Sequence, residues 1–287
     1  MTMWIKIPVI TLIVFVIIIT LTLFIGQHRT SSELTALLEK LVKKTSTPSL
    51  HKVDYHSLND LPEPVQKYFR YALPDGQSFI NTTWLEQAGK LKVTPEAKDW
   101  STFKADQVMS QNNVSFLWDA KINIAPLIHV RVRDSLIEGI GSGNVYLMSA
   151  VSMGSDSDKA ELNSAALYRY LAEAVWHPTA LLPQSGVSWE AVDEYNAIAH
   201  FSKFDMTISL QFRFNDIGEI TGIYTEDRYG KFGDHYTRYP WEGRFSNYKK
   251  FDGIKIPTRG EVGWHLPGGW WLFWQGEIID AKFEYQN

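Results

Sequence analysis

The hydrophobic residues of this chain follow three patterns: one unbroken apolar run, a few stretches with helical spacing, and many stretches in which every second residue is apolar. The unbroken run covers residues 7–25 and contains no charged side chain. As an α-helix that rises about 1.5 Å per residue, it would reach roughly 28 Å, close to the thickness of the hydrocarbon core of a bilayer. The run therefore predicts one N-terminal transmembrane helix.

The flanks of this run favour an anchor that is kept over a signal peptide that is removed. The run is longer than the usual apolar region of a signal peptide, and no small-residue cleavage site follows it between Phe24 and Arg29. The chain has no cysteine, which excludes a lipid-modified cysteine. We therefore predict a single-pass membrane protein whose residues 7–25 contact the lipid bilayer.

A second helix is predicted directly after the anchor. The leucines within residues 34–41 occur at i, i+3, i+4 and i+7, which indicates one apolar helix face. This helix would be capped by Ser31 or Ser32 and would end near Lys44, followed by a linker over residues 45–60. Its apolar face could dock on the protein's own domain, lie on the lipid surface or pair with a second copy.

Two more helices are predicted farther along the chain. Residues 61–74 begin with two prolines that fit a first helical turn and end with a third proline. The spacing Asp158-x-x-Glu161 resembles a capping box, and an apolar row continues from there up to Pro178. Both segments have the length of an ordinary globular helix.

Alternating apolar and polar residues dominate the chain from about residue 82 onward. The clearest stretches are residues 114–122, 128–133 and 206–214, and turn residues follow the last of them at 215–218. Such alternation is typical of antiparallel strands with one packed face and one solvated face. No alternation of parallel strands with helices is present.

These elements together predict an α+β fold built on one large curved antiparallel sheet with two or three packed helices. The predicted order is a transmembrane anchor over residues 1–27, a juxtamembrane helix and linker over residues 28–60, and a single α+β domain over residues 61–287.

Composition excludes several function classes. The net charge of −4 leaves no basic footprint for nucleic acid, so we predict no nucleic-acid partner. Without cysteine, the chain has no disulfide, no thiolate nucleophile and no cysteine metal ligand. Sixteen aromatic residues occur within residues 224–285, which favours strands and a broad apolar surface in the last third of the chain.

Glu173 and His177 are the catalytic candidates. They are four positions apart on a predicted helix, so their side chains would share one face and could act as a base and the group that orients it. The alternative is structural, because a cationic imidazole is favoured at a helix C-terminus. No second histidine lies at metal-ligand spacing, so we predict no metal site and no cofactor.

Arg131 and Arg133 are candidate ligand contacts. They alternate with apolar residues on one predicted strand and could bind an anionic head group if they lined a concavity. The alternative is a solvated row of charges paired with carboxylates such as Asp119 or Asp134.

Three tryptophans near the C-terminus, Trp270, Trp271 and Trp274, are the other candidate ligand contacts. Their large amphipathic rings could contact a lipid or a partner protein. The alternative is that they belong to the core of a β-rich domain.

Three stretches carry a family resemblance: residues 61–69 (LPEPVQKYF), residues 169–182 (beginning RYLAE) and residues 252–257 (DGIKIP). Together they resemble an uncharacterised bacterial family of membrane-anchored proteins over most of residues 58–285. The last stretch, set between aromatic strands, is also similar to the lipoprotein-carrier (LolA-like) fold. That resemblance implies a half-barrel with helices in its mouth and an apolar cavity for acyl chains.

The leading interpretation is a membrane-anchored, non-enzymatic domain that binds a lipid, an acyl chain or another apolar ligand in the half-barrel cavity. A retained anchor would prevent the free shuttling that the carrier fold otherwise implies. One alternative is a hydrolase-type enzyme that uses Glu173 and His177. Another is a structural or protein-interaction domain whose core is filled by its own side chains.

The bacterial resemblance implies that the anchor lies in the inner membrane. Basic residues between positions 29 and 44 favour a cytoplasmic C-terminal domain under the positive-inside rule. The carrier-like fold favours an extracytoplasmic domain instead, and this is the side we predict.

Overall fold

The computed structural model describes residues 3–42 and 51–285, and the side chains of the first range from residue 10 onward. Its first helix, α1 (Met3–Val42), is uninterrupted, so the prediction of a separate helix that begins at Ser31 or Ser32 is wrong. Ser32 Oγ donates to the carbonyl of His28 at 3.1 Å, a bond of the helix interior and not of a cap. No proline separates the apolar run from the leucines, so the helix continues. The predicted end at Lys44 and residues 45–50 lie outside the described residues.

The prediction for α2 (Glu63–Ala72) is confirmed. Pro62 precedes the helix and Pro64 occupies its first turn, where a missing backbone N–H costs no hydrogen bond. Leu73 has extended backbone angles, as expected for a residue that precedes a proline, and the helix stops there.

The helix α3 (Ala160–Glu173) is present where the apolar row predicts one, but the predicted capping box is wrong. The residue at the cap position is Lys159, and its side chain makes no capping bond. Asp158 has a φ of +53° because the chain turns there from strand into helix. Short 3-10 helices in the described residues are Tyr55–Leu58, Ala174–Trp176, Pro178–Leu181 and Pro183–Ser185.

Thirteen of the fifteen strands in the described residues form one open antiparallel sheet, which confirms the predicted α+β class. The order is β6-β5-β4-β3-β2-β1-β15-β14-β13-β10-β9-β8-β7, and β11 pairs with β12 alone. The strands are β1 (Ile80–Leu91), β2 (Ser101–Ser110), β3 (Ser115–Ala125), β4 (Ile128–Ile137), β5 (Ile140–Leu147), β6 (Val151–Ser157), β7 (Val187–Asp193), β8 (Asn196–Lys203), β9 (Met206–Phe214), β10 (Ile220–Thr225), β11 (Tyr229–Phe232), β12 (His235–Arg238), β13 (Trp241–Phe251), β14 (Ile254–Leu266) and β15 (Gly269–Tyr285).

Different helices cover the two faces of this sheet. The inner face packs against α2, α3 and the 3-10 helices and carries the main core, which includes Tyr68, Phe69, Leu171, Phe212 and Ile256. The outer face is covered in part by the second half of α1, where Leu41 is buried together with Val108, Leu117 and Ile137. Burial of large aliphatic and aromatic side chains stabilises each layer by roughly 1.5–3 kcal/mol per residue.

The second half of α1 lies diagonally across the outer face, from the β5–β6 turn to the β2–β3 turn. Gln27 Nε2 donates to the carbonyl of Met148 at 3.1 Å, and Asn113 Nδ2 donates to the carbonyl of Leu41 at 3.1 Å. Docking on its own domain, one of the three predicted alternatives for the leucine stripe, is therefore confirmed. The first half of α1 extends away from the sheet, with exposed apolar side chains from Ile10 to Ile25.

Candidate functional site

Three tryptophans form a row across the inner face. Trp241 on β13 is directly opposite Trp264 on β14, and Trp264 is directly opposite Trp271 on β15. Directly opposite residues of antiparallel strands point to the same face, so the three rings share one surface. The rings of Trp241 and Trp264 are 6.3 Å apart, and Phe232 of the β11–β12 ribbon contacts Trp264 and Trp271 at 5.5 and 6.5 Å.

Arg228 lies over this row. Its guanidinium carbon is 4.3 Å from the ring centre of Trp241 and 5.1 Å from that of Trp264, and its Nε donates to the carbonyl of Ala165 at 3.3 Å. No carboxylate of the described residues forms an ion pair with it. Burial, and then the nearby Arg169, lower the pKa of Arg228 to about 9, so it is still a cation at neutral pH. Arg228 is thus an arginine placed largely out of water without a bonded counter-charge.

The row also contains two indole N–H groups without a hydrogen-bond acceptor. They belong to Trp241 and Trp271, and both nitrogens are buried. Buried donors are normally paired, because an unpaired one costs about 1–3 kcal/mol. The guanidinium and the two indole groups are donors only, so this surface is suited to a group that supplies acceptors.

A polar network lies beside Arg228 on the same face and includes the predicted Glu173. Arg169 donates from Nε to Glu173 at 2.7 Å and from Nη1 to Asp134 at 2.8 Å. Gln107 donates to the other oxygen of Glu173 at 2.6 Å and accepts from Gln87 at 2.6 Å. Glu173 is therefore held by one cation and one amide.

His177 has a separate set of partners. Its Nδ1 is 2.7 Å from Thr83 Oγ1, and its Nε2 is 3.2 Å from the carbonyl of Ile80, which can only accept. Nε2 therefore carries the proton, and burial lowers the pKa of His177 to about 3, so the ring is neutral and not the helix-capping cation of the structural alternative. α3 ends at Glu173 and a 3-10 turn follows, so the helical i, i+4 relation no longer applies. The structure brings no shared partner to the two candidates, and the catalytic assignment stays a prediction.

The three predicted tryptophans are distributed over both faces. Trp271 joins the inner row, and Trp274 stacks on Phe103 at 5.7 Å in a second inner cluster. Trp270 points to the outer face, where its ring lies 4.7 Å from that of His265. Because side chains alternate along β15, the neighbours Trp270 and Trp271 face opposite sides of the sheet. A bulge in β15 near Trp274 shifts this alternation by one residue, so Trp274 faces inward like Trp271.

Arg131 and Arg133 lie on the outer face beneath α1 and not in a solvated row. Arg131 makes two parallel hydrogen bonds to Asp119, with Nε at 2.8 Å from Oδ1. Arg133 is fully buried, and its Nη2 donates to the carbonyl of Thr30 at 3.0 Å. Asp119 is a partner of both arginines, whereas Asp134 faces inward to Arg169. Their role as ligand contacts stays a prediction. Of the two, Arg133 bonds to α1 and helps to hold it on the sheet, whereas Arg131 bonds to Asp119 of β3.

Two cavities border α1 on the outer face. One, of about 330 Å³, is lined by apolar side chains of α1 and the sheet, among them Leu34, Leu38, Trp84 and Val108. The other, of about 450 Å³, has a more polar lining that includes Asp106, Lys121 and Arg131. Within residues 3–42 and 51–285, no group of three or more His, Asp and Glu side chains is placed to hold a metal ion.

A model of a family of unknown function, DUF6920, matches residues 59–283. The chain belongs to the DUF6920 family. This confirms the predicted membership in an uncharacterised family.

Among curated proteins, no match was found. Among solved structures, a LolA superfamily protein from Nitrosomonas europaea is similar, with 11% identity and a TM-score of 0.43 over 81% of this chain and 94% of that one.

Arg228 is the residue that sequence reasoning missed. It follows Glu226 and Asp227 in a turn-like stretch, where a charged side chain is expected to face solvent. The only available signal was its position within the aromatic-rich segment 224–285, which makes stacking on a ring frequent.

Proposed function

We propose that this protein is a membrane-anchored domain that binds a lipid or another apolar ligand with an acidic group. The observation that carries the ligand class is the row of Trp241, Trp264 and Trp271 with the unpaired guanidinium of Arg228 over it. Trp241 and Trp264 are buried, so the partly exposed ring of Trp271 is the one that offers apolar contact area in the row. The three donor groups suit a carboxylate or a phosphate. Phe273 and Trp274, which follow Trp271 along β15, also keep part of their surface exposed, so an acyl chain has further apolar contacts to reach.

The membrane part of the proposal rests on α1. Its apolar window is long enough to cross a bilayer and none of it is buried against the domain. In the proposed order, residues 1–27 are the anchor, residues 28–60 connect it, and residues 61–287 form the ligand-binding domain in the periplasm or its equivalent, outside the inner membrane. Residues 28–42 of the connecting part serve as a rigid support, because they dock on the sheet.

The test is ligand uptake by the delipidated full chain, measured by native mass spectrometry with a long-chain fatty acid and its methyl ester. We expect the acid to bind better than the ester. Trp271→Ala should weaken uptake, whereas its neighbour Trp270→Ala, on the outer face, is the matched control and should not. Arg228→Gln should reduce binding of the acid roughly tenfold, the value of one charge-assisted hydrogen bond, and leave the ester unchanged.

Other results would redirect the proposal. Uptake that Trp84→Ala removes and Trp271→Ala does not would place the ligand in the apolar cavity beneath α1. No uptake of either compound would favour a structural or protein-interaction domain. Turnover that is lost in both Glu173→Gln and His177→Ala would favour the hydrolase alternative.

A further inference from the structure

Two neighbouring hairpin turns beside α1 are mostly apolar. The β3–β4 turn reads Ile124-Ala125-Pro126-Leu127-Ile128, and the β5–β6 turn is formed by residues 147–151 (LMSAV). Turns on a protein surface are normally rich in Gly, Asn, Asp and Ser because those side chains bond to the local backbone. Leu127 is 95% exposed, and Ile124, Ile128 and Val151 are exposed as well. Exposing such a surface to water is unfavourable, and covering it with something apolar lowers the free energy.

The β5–β6 turn lies at the point where α1 leaves the domain. Thr30 Oγ1 donates to the carbonyl of Ser149 at 2.7 Å. Gly26 is so close that a Cβ at this position would lie 2.6 Å from the carbonyl oxygen of Ala150. The uncharged apolar run ends at Ile25, one residue before this contact. The position where the helix enters the bilayer is therefore the position of this turn.

The β3–β4 turn reaches farther out than the β5–β6 turn. The backbone N–H of Met148 donates to the carbonyl of His129, which sets these two residues level with each other. Leu127 is two residues beyond His129 toward the tip of the hairpin, or about 7 Å at the rise of a β-strand. The docked half of α1 lies along the outer face between the β2–β3 turn, at the opposite end of the strands, and the β5–β6 turn. The apolar half of α1 continues past the β5–β6 turn, in the direction in which the two apolar turns point.

We propose that the β3–β4 and β5–β6 turns insert into the lipid interface beside α1, so that two contacts fix the orientation of the domain on the bilayer. The occupant of this apolar surface is the membrane itself. The inference rests on the proposed membrane anchor and is independent of the proposed ligand. It places the outer-face contact between α1 and the sheet directly above the lipid.

The chain contains no cysteine, so single cysteines can carry a spin label on the full-length protein without further changes. We would label Leu127→Cys, Ile140→Cys and Leu21→Cys in vesicles of phosphatidylcholine with a minority of phosphatidylglycerol. Ile140 is the matched control, because it is also an exposed apolar residue but lies at the opposite end of the β4–β5 hairpin, roughly 30 Å away along the strand. Leu21 reports on insertion of the anchor.

Electron paramagnetic resonance then measures the accessibility of each label to oxygen, which enriches in lipid, and to a water-soluble nickel chelate. We expect the label at position 127 to resemble the one at position 21, with high oxygen and low nickel accessibility, and the label at position 140 to be water-accessible. If position 127 is as accessible to nickel as position 140 while position 21 is protected, the interface contact is wrong and the anchor stands. If position 21 is accessible to nickel, the anchor and the contact both fail.

Discussion

Arg133 and Arg228 lie on opposite faces of the same sheet, and their surroundings differ in charge. Arg133 is fully buried under α1, donates to the carbonyl of Thr30, and has Asp119 at 3.5 Å from its Nε. Arg228 lies over two tryptophan rings on the inner face, and its one hydrogen bond within the described residues goes to a backbone carbonyl.

The difference indicates two roles for an arginine that is removed from water, fully in the case of Arg133 and partly in the case of Arg228. Moving a charge out of water is costly unless hydrogen bonds and an opposite charge replace the lost hydration. Around Arg133, the carboxylates of Asp119 and Glu33 and the carbonyl of Thr30 replace most of the lost hydration, although Nε has no hydrogen-bond partner within the described residues. Glu33 and Thr30 belong to α1, so these contacts join the helix to the sheet. Around Arg228, one backbone carbonyl and two indole rings replace the lost hydration, and no opposite charge is bonded to it within the described residues. The acidic group of the proposed ligand would supply that charge.

The largest expected effect is the loss of the shared partner of the outer arginines. Asp119→Asn removes the carboxylate that Arg131 and Arg133 share. It leaves Arg131 without a bonded counter-charge within the described residues and leaves Arg133 with Glu33 at 3.9 Å. We expect the free energy of unfolding to fall by about 3–5 kcal/mol, measured by urea denaturation in detergent with tryptophan fluorescence. Asp280→Asn is the control, because its pair with Lys282 is exposed and worth about 0–1 kcal/mol. Equal losses in the free energy of unfolding for the two variants would mean that the buried ion pairs of Asp119 contribute no more stability than the exposed pair of Asp280.

The second effect is the pH dependence of stability that arises from His177, a buried ring whose two nitrogens both have a hydrogen-bond partner. His177 is neutral in the folded protein with a pKa of about 3, against about 6.5 when unfolded. Below pH 6.5 the unfolded chain binds a proton that the folded chain does not, so stability falls as the pH falls. The expected slope is about 1.4 kcal/mol per pH unit down to about pH 3. His177→Gln should lack this contribution, and identical pH slopes for the two proteins would contradict a buried neutral ring.

The third effect is smaller and concerns the inner network. Glu173→Gln keeps the shape of the side chain but removes one of the two carboxylates that bind Arg169. We expect a loss of about 1–2 kcal/mol in the free energy of unfolding, because Asp134 still balances the guanidinium. Asp134→Asn is the companion variant, and the double variant should lose more than the sum of both, since Arg169 would then have no counter-charge. An additive double variant would mean that the two carboxylates act independently.

The smallest expected effect on stability is that of Arg228→Gln. No ion pair is lost, and a charge leaves a poorly hydrated position, so the free energy of unfolding should change by less than about 1 kcal/mol. The same denaturation measurement applies. A loss of about 3 kcal/mol or more would assign Arg228 to the structural class of Arg133 and would weaken the proposed ligand site.

Local periodicity predicted the parts of the fold that depend on neighbours along the chain. The prolines at 62, 64 and 74 predict α2 because they act on the backbone within one or two residues. The alternation in residues 206–214 predicts β9 because side chains of a strand point to opposite faces in turn. The same reasoning fails between Ile25 and Ser31, where serines suited to a cap predict a helix start although nothing breaks the helix before them.

The sequence by itself determined the apolar run of α1, the α+β class and the family, since each depends on local spacing or on motifs. Only the tertiary structure decided which arginines are paired, because their partners are distant in the chain: Thr30 and Arg133 are 103 positions apart. The same holds for the row of Trp241, Trp264 and Trp271, which exists through the register of three strands. Periodicity states which face of a strand a side chain occupies, and the packing of distant elements decides what covers that face.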